Sequence, residues 1–92
     1  MASYLMFGKY SPEALKAVSV KRSDDAVALI EEYGGEIKAG YALLGDVDLV
    51  VVVDLPDTEH AMQVSAALTK LLGISFRTAP AISIEQFDKL MT

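Results

Sequence analysis

The chain has 92 residues, 52% of them hydrophobic, with 8 Lys+Arg against 13 Asp+Glu, one His and no Cys, for a net charge of −5. That length suits a single domain, 1–92, and the missing cysteines exclude disulfides, thiolate nucleophiles, iron–sulfur clusters and Cys-based zinc sites. The basic residues are scattered, only Lys21 and Arg22 being adjacent, so the stripe that neutralises nucleic-acid phosphates and the basic helix that rides on membranes are both missing.

A chain this short buries only about 60–65% of its unfolded surface, so its apolar surplus needs somewhere to go. The N-terminal residues show no basic, apolar leader pattern. The longest apolar run, Leu49 to Val53, is far short of the ~20 residues that span a bilayer. With no Cys, these features lead us to expect a cytoplasmic protein.

Residues 3–10 are aromatic-rich and stop at Ser11-Pro12, which reads as a first strand. Ser11-Pro12-Glu13 opens a helix with a hydroxyl cap, Pro at its first position and an acid in its first turn. Leu15 and Val18 are placed to face inward. The pattern loses phase near Lys21, and Ser23-Asp24-Asp25 reads as a fresh cap. Ala26, Leu29, Ile30 and Tyr33 then form an amphipathic stripe, ended by Gly34-Gly35.

Strands are expected at 36–44 and 47–54, joined at Gly45-Asp46 by a two-residue hairpin turn. Asp57 caps the next helix, whose inward stripe is Ala61, Val64, Leu68, Leu71 and Leu72, and Gly73 ends it. Residues 74–82 read as a fourth strand, placed at a sheet edge because Pro80 has no N–H to donate. Ser83-Ile84-Glu85-Gln86 is a capping box for a short last helix with Ile84, Phe87 and Leu90 turned inward. Met6 and Met62 read as core filler.

The order β-α-β-β-α-β-α predicts an α+β, ferredoxin-like βαββαβ sandwich: a four-stranded antiparallel sheet of order 4-1-3-2 plus a short C-terminal helix. The central strands are apolar on both parities. Leu49, Val51 and Val53 alternate with Val50 and Val52, and Leu5 and Phe7 alternate with Tyr4 and Met6. Helices cover one face only. The other would leave an apolar patch larger than soluble monomers usually tolerate. A second copy on that face, forming an isologous dimer, is the simplest cover.

Gly45-Asp46-Val47-Asp48, the run Gly8-Lys9-Tyr10-Ser11-Pro12-Glu13 and the close Ile82-Ser83-Ile84-Glu85-Gln86-Phe87 together resemble the bacterial GYD-domain proteins over nearly the whole chain. The resemblance implies a ferredoxin-like fold of the dimeric α+β barrel type, with no established general activity. Here Val47 stands where the family's signature has Tyr. The matching motif residues are Gly45, Asp46 and Asp48.

The topology brings Lys9, Tyr10, Tyr41, Asp48 and Arg77 toward one end of the sheet. A carboxylate, two phenols and two cations there suit a polar group at the mouth of an apolar cavity. Edge ion pairs and sheet-end solvation are the plainer reading of the same residues. His60 falls in the first turn of the helix capped by Asp57, where the dipole disfavours its charged form. It reads as a surface residue, since one His makes a poor metal site. Asp54, Asp57 and Glu59 lack the spacing of a calcium loop. Gly34, Gly35 and Gly45 fit turns rather than a phosphate loop.

The leading expectation is a homo-oligomeric small-molecule binding or sensing module, homodimeric or larger through the free sheet face. An apolar pocket lies between the paired sheets, and no cofactor, metal, nucleic acid or membrane is involved. The alternatives are a cofactor-independent oxygenase or isomerase of the dimeric α+β barrel class, and a purely structural assembly subunit.

Overall fold

The two most apolar segments, Ala2–Tyr10 (β1) and Leu49–Leu55 (β3), pair at the centre of an antiparallel sheet. The structure is a computed structural model describing residues 1–92. The remaining elements are α1 (Pro12–Lys16), α2 (Val20–Glu32), β2 (Glu36–Ala42), α3 (Thr58–Leu72), β4 (Ile74–Ala81) and α4 (Ile84–Leu90). The sheet has four strands in the order β2-β3-β1-β4, which is the expected ferredoxin-like arrangement. Pro80 sits on the edge strand β4, opposite Tyr4.

Register divides the sheet into two faces, because paired residues share a side. Tyr4, Met6 and Gly8 of β1 share one face with Leu49, Val51 and Val53 of β3 and with Ile74 and Phe76 of β4. This face carries α2 and α3, and it holds the core: Tyr4, Met6, Val53 and Leu55 pack with Ala61, Val64, Leu68 and Leu72 of α3 and Ile30 of α2. Each fully buried aliphatic side chain here contributes roughly 1.5–3 kcal/mol.

α3 is firmly seated. Asp57 accepts from the His60 N–H at its start, and Gly73, at φ +71°, closes it in the left-handed region. The Ser65 and Thr78 hydroxyls lie 2.7 Å apart, and Thr69 Oγ1 donates to the Ile74 carbonyl at 2.7 Å, tying the helix to β4. Leu71, expected to point inward, is exposed instead, as is Met62. A helix lying on a sheet buries a narrow stripe, and the 61-64-68-72 row already fills it.

The helical segment before it differs from expectation in its start. The break falls at 17–19, and Ser19 rather than Ser23 caps α2, accepting from the Arg22 N–H at 3.2 Å. Starting there adds one turn and lets the Arg22 guanidinium donate to the Leu72 carbonyl at 2.8 Å. Leu15 and Val18 are exposed, and Ala14 is the buried residue of α1. α2 ends as anticipated: Gly34 N–H bonds Glu31 O and Gly35 N–H bonds Ile30 O, a Schellman pair with Gly34 at φ +80°.

Two further expectations are corrected. The β2–β3 connection is longer than a two-residue turn. β2 stops at Ala42, β3 starts at Leu49, and the Leu43 N–H to Asp48 O bond closes the loop. Asp48 is held away from a tight turn because its own N–H donates to Gly8 O on β1. α4 has its capping box, Ser83 with Gln86, but no buried residue. Ile84, Phe87 and Leu90 face outward, since α2 and α3 already occupy the helical layer.

Candidate functional site

At the end of β1 the sequence-predicted residues divide between two roles. The Asp48 carboxylate accepts the Tyr10 N–H at 2.9 Å, extending the β1–β3 ladder one step past its last strand pair. Lys9 Nζ donates to the Asp46 carbonyl at 3.2 Å, holding the Gly45–Val47 loop against the same end. Lys9, Tyr10, Asp46 and Asp48 are therefore brought together, and Gly45 supplies the loop's positive φ of +117°.

Tyr41 and Arg77 lie elsewhere, on the face without helices. The register sets Tyr41, Val50, Phe7 and Arg77 in one row across the sheet, with the phenol and the guanidinium on opposite edges. The row beside it is Ala39, Val52, Leu5 and Ala79. Arg77 stacks over the Phe7 ring at 5.9 Å from its centroid, within cation–π range. No carboxylate lies within ion-pair distance of it. The face is thus apolar at its centre, with an unpaired cation on one side.

Its opposite margin is polar. Ser3 donates to Asp54 at 2.6 Å. Lys38 reaches Glu36 at 3.2 Å and Asp54 at 3.7 Å. The hydrogen bond from Lys38 to Glu36, aided by both nearby carboxylates, raises the ammonium above its ordinary pKa. Lys38 and Glu36 are exposed while Ser3 and Asp54 are partly buried, and ion pairs at such a margin contribute little to stability.

His60 has a partner that spacing alone did not reveal. Its Nδ1 lies 2.6 Å from Asp57 Oδ1, the same oxygen that accepts the His60 N–H at 2.9 Å. The backbone hydrogen bond first, and the ring second, hold the Asp57 carboxyl below its usual range. No group of three or more His, Asp or Glu side chains is placed to hold a metal ion.

Sequence patterning missed a cavity on the helical face. About 340 Å³ of space lies between α2 and the β2 side of the sheet. Of the sequence-predicted site residues, Tyr10 lines it, and Tyr41, whose register position is on the opposite face, borders it at the β2 edge between Gly40 and Ala42; Lys9, Asp48 and Arg77 do not. The signal that marks it is a set of small residues, Ala14, Ala26, Gly40 and Ala42, dispersed over three elements.

Solved structures share this architecture. A leucine response regulatory protein from Mycobacterium tuberculosis superposes with a TM-score of 0.59 at 15% identity, covering 89% of this chain and 51% of its own. A feast or famine regulatory protein from M. tuberculosis, complexed with L-methionine, gives 0.62 at 14% identity, covering 90% of this chain and 51% of its own. This chain thus spans about half the length of each, and identities this low carry the fold alone. Among curated proteins none matches the chain. No helix is long and apolar enough to cross a membrane. The sequence profile of the GYD domain matches residues 4–91, and the chain belongs to the GYD-domain family.

Proposed function

We propose that the protein is a cytoplasmic, homodimeric small-molecule-binding module whose two sheets pair face to face around an apolar ligand space. The observation that carries this reading is the free face itself. Leu5, Phe7, Val50 and Val52 form one contiguous, partly exposed apolar centre on the face opposite the α2–α3 layer, with Arg77 over the Phe7 ring. An isologous pairing buries that centre twice over and sets Arg77 and Tyr41 at the margins of the enclosed space. Lys9 extends the cationic side, which suits a ligand with a polar or anionic end.

α4 supports the same arrangement. Its apolar positions Ile84, Phe87 and Leu90 are all more than half exposed. A short helix with one apolar side is stable chiefly when that side is packed, and a partner chain supplies the missing surface. The feast or famine regulatory protein that shares this fold over about half its length is complexed with L-methionine, a precedent for a small ligand in a protein that contains such a domain.

Native mass spectrometry tests both parts, since it reports subunit count and retained ligand together. The expected mass is at least twice the 9.9 kDa of one chain. Leu5→Arg, which sets a like charge against its own symmetry mate, is expected to give single chains. A wild-type protein that remains a single chain at micromolar concentration would overturn the pairing.

A further inference from the structure

The cavity under α2 lies on the opposite face of the sheet from the proposed pairing and within one chain. Its floor is Leu49, Val51 and Phe76, and Ala26, Val27 and Ile30 form its roof. Of its 19 lining residues, 15 are hydrophobic. At about 340 Å³ it falls within the ~300–1,000 Å³ range of small-molecule sites. It is also about twice the ~150 Å³ of an engineered apolar cavity that takes up benzene.

The space is written into the chain. α2 presents Ala26 where α3 presents Leu68, and β2 presents Gly40 and Ala42 beneath it. A larger residue at any of these places would fill it.

Its polar lining is concentrated at the start of α2: Ser19, Arg22 and Ser23. Arg22 is the one charged residue among the lining residues. Its guanidinium gives one donor to the Leu72 carbonyl and has no carboxylate within ion-pair distance. A guanidinium has five donors in a fork that matches a carboxylate. Elsewhere the protein is acidic, with a net charge of −5, so this cation is the local feature that would draw an anion in.

We propose that this cavity binds a monocarboxylate with an apolar body, the body lying under Ala26 and the carboxylate engaging Arg22 with help from Ser19 or Ser23. This site is independent of the sheet-to-sheet pairing.

Octanoate and octanol are suitable probes, titrated into the full chain by calorimetry and by amide chemical-shift mapping. Octanoate is expected to shift amides of α2 and β2. Ala26→Leu is expected to weaken octanoate by about tenfold or more while the folded state is retained. Ala42→Leu fills the same space from the opposite wall and serves if the first variant misfolds. Arg22→Met is expected to weaken octanoate by about tenfold and leave octanol nearly unchanged. The proposal is overturned if octanoate does not bind saturably, if its shifts fall on Phe7 and Val50 instead, if both filled variants bind as well as the wild type, or if Arg22→Met weakens octanol as much as octanoate.

Discussion

α2 and α3 cover the same face of the same sheet, yet they are seated very differently. α3 buries Ala61, Val64, Leu68 and Leu72, and two of its hydroxyls reach β4. α2 buries Ile30 alone, and its tie to the rest of the helical layer is the Arg22 bond to Leu72 O. Both helices are amphipathic and both are well capped. The difference lies in how deeply each stripe is seated: Ala26, Leu29 and Tyr33 of α2 are only partly buried. Amphipathicity decides which side of a helix faces the sheet, and the small residues Ala26, Gly40 and Ala42 leave the space beneath α2 unfilled.

The sharpest test of that contrast is truncation. Leu68→Ala on α3 is expected to lose roughly 2–5 kcal/mol in urea unfolding. Val27→Ala on α2, at a position 39% exposed, is expected to lose well under that, since half-exposed sites leave no closed void. Equal losses would break the comparison. Amide hydrogen exchange should show the same gap without mutation: amides of α2 open sub-globally, whereas those of α3 exchange near the global limit. The cap residues sharpen it further. Asp57→Ala is expected to cost about 1 kcal/mol of global stability. Ser19→Ala is expected to cost less, because α2 can fray while the α3 half stays folded; this is read by the same urea titrations.

The smallest effect is electrostatic. The folded Asp57 carboxyl titrates below its ordinary value. Its contribution is therefore complete above the unfolded pKa near ~3.9 and is lost as pH falls through the folded one. Asp57→Asn keeps a good cap and removes the titration. It is expected to flatten the acid limb of stability plotted against pH, and an unchanged limb would show that other carboxyls set it.

The contrast also shows why some features were legible in the sequence and others were not. The stripe of α3, its Asp57 cap, the Gly34 and Gly73 stops and the place of Pro80 at an edge all rest on local rules, and they were readable. The start of α2 was misplaced because Ser19 and Ser23 are hydroxyls one turn apart, and the acids after Ser23 favoured the wrong one. The stripe of α4 was recognisable as apolar, but its direction depends on what surface is left, which no local pattern encodes. Asp48 and Tyr10 were correctly placed near each other. That the carboxylate takes a backbone N–H follows from a register finer than hydrophobic alternation can set. The cavity was hardest to see, because Ala14, Ala26, Gly40 and Ala42 each look ordinary and are significant only in combination.

Both margins of the sheet are obstructed. Pro80 removes an N–H from β4, and Lys38 with its two carboxylate neighbours holds charge on β2. Strands guarded in this way resist the addition of further strands from other molecules. Such a sheet does not grow sideways into a ribbon or fibre. The proposed pairing uses the broad free face instead, and an isologous contact there closes on itself.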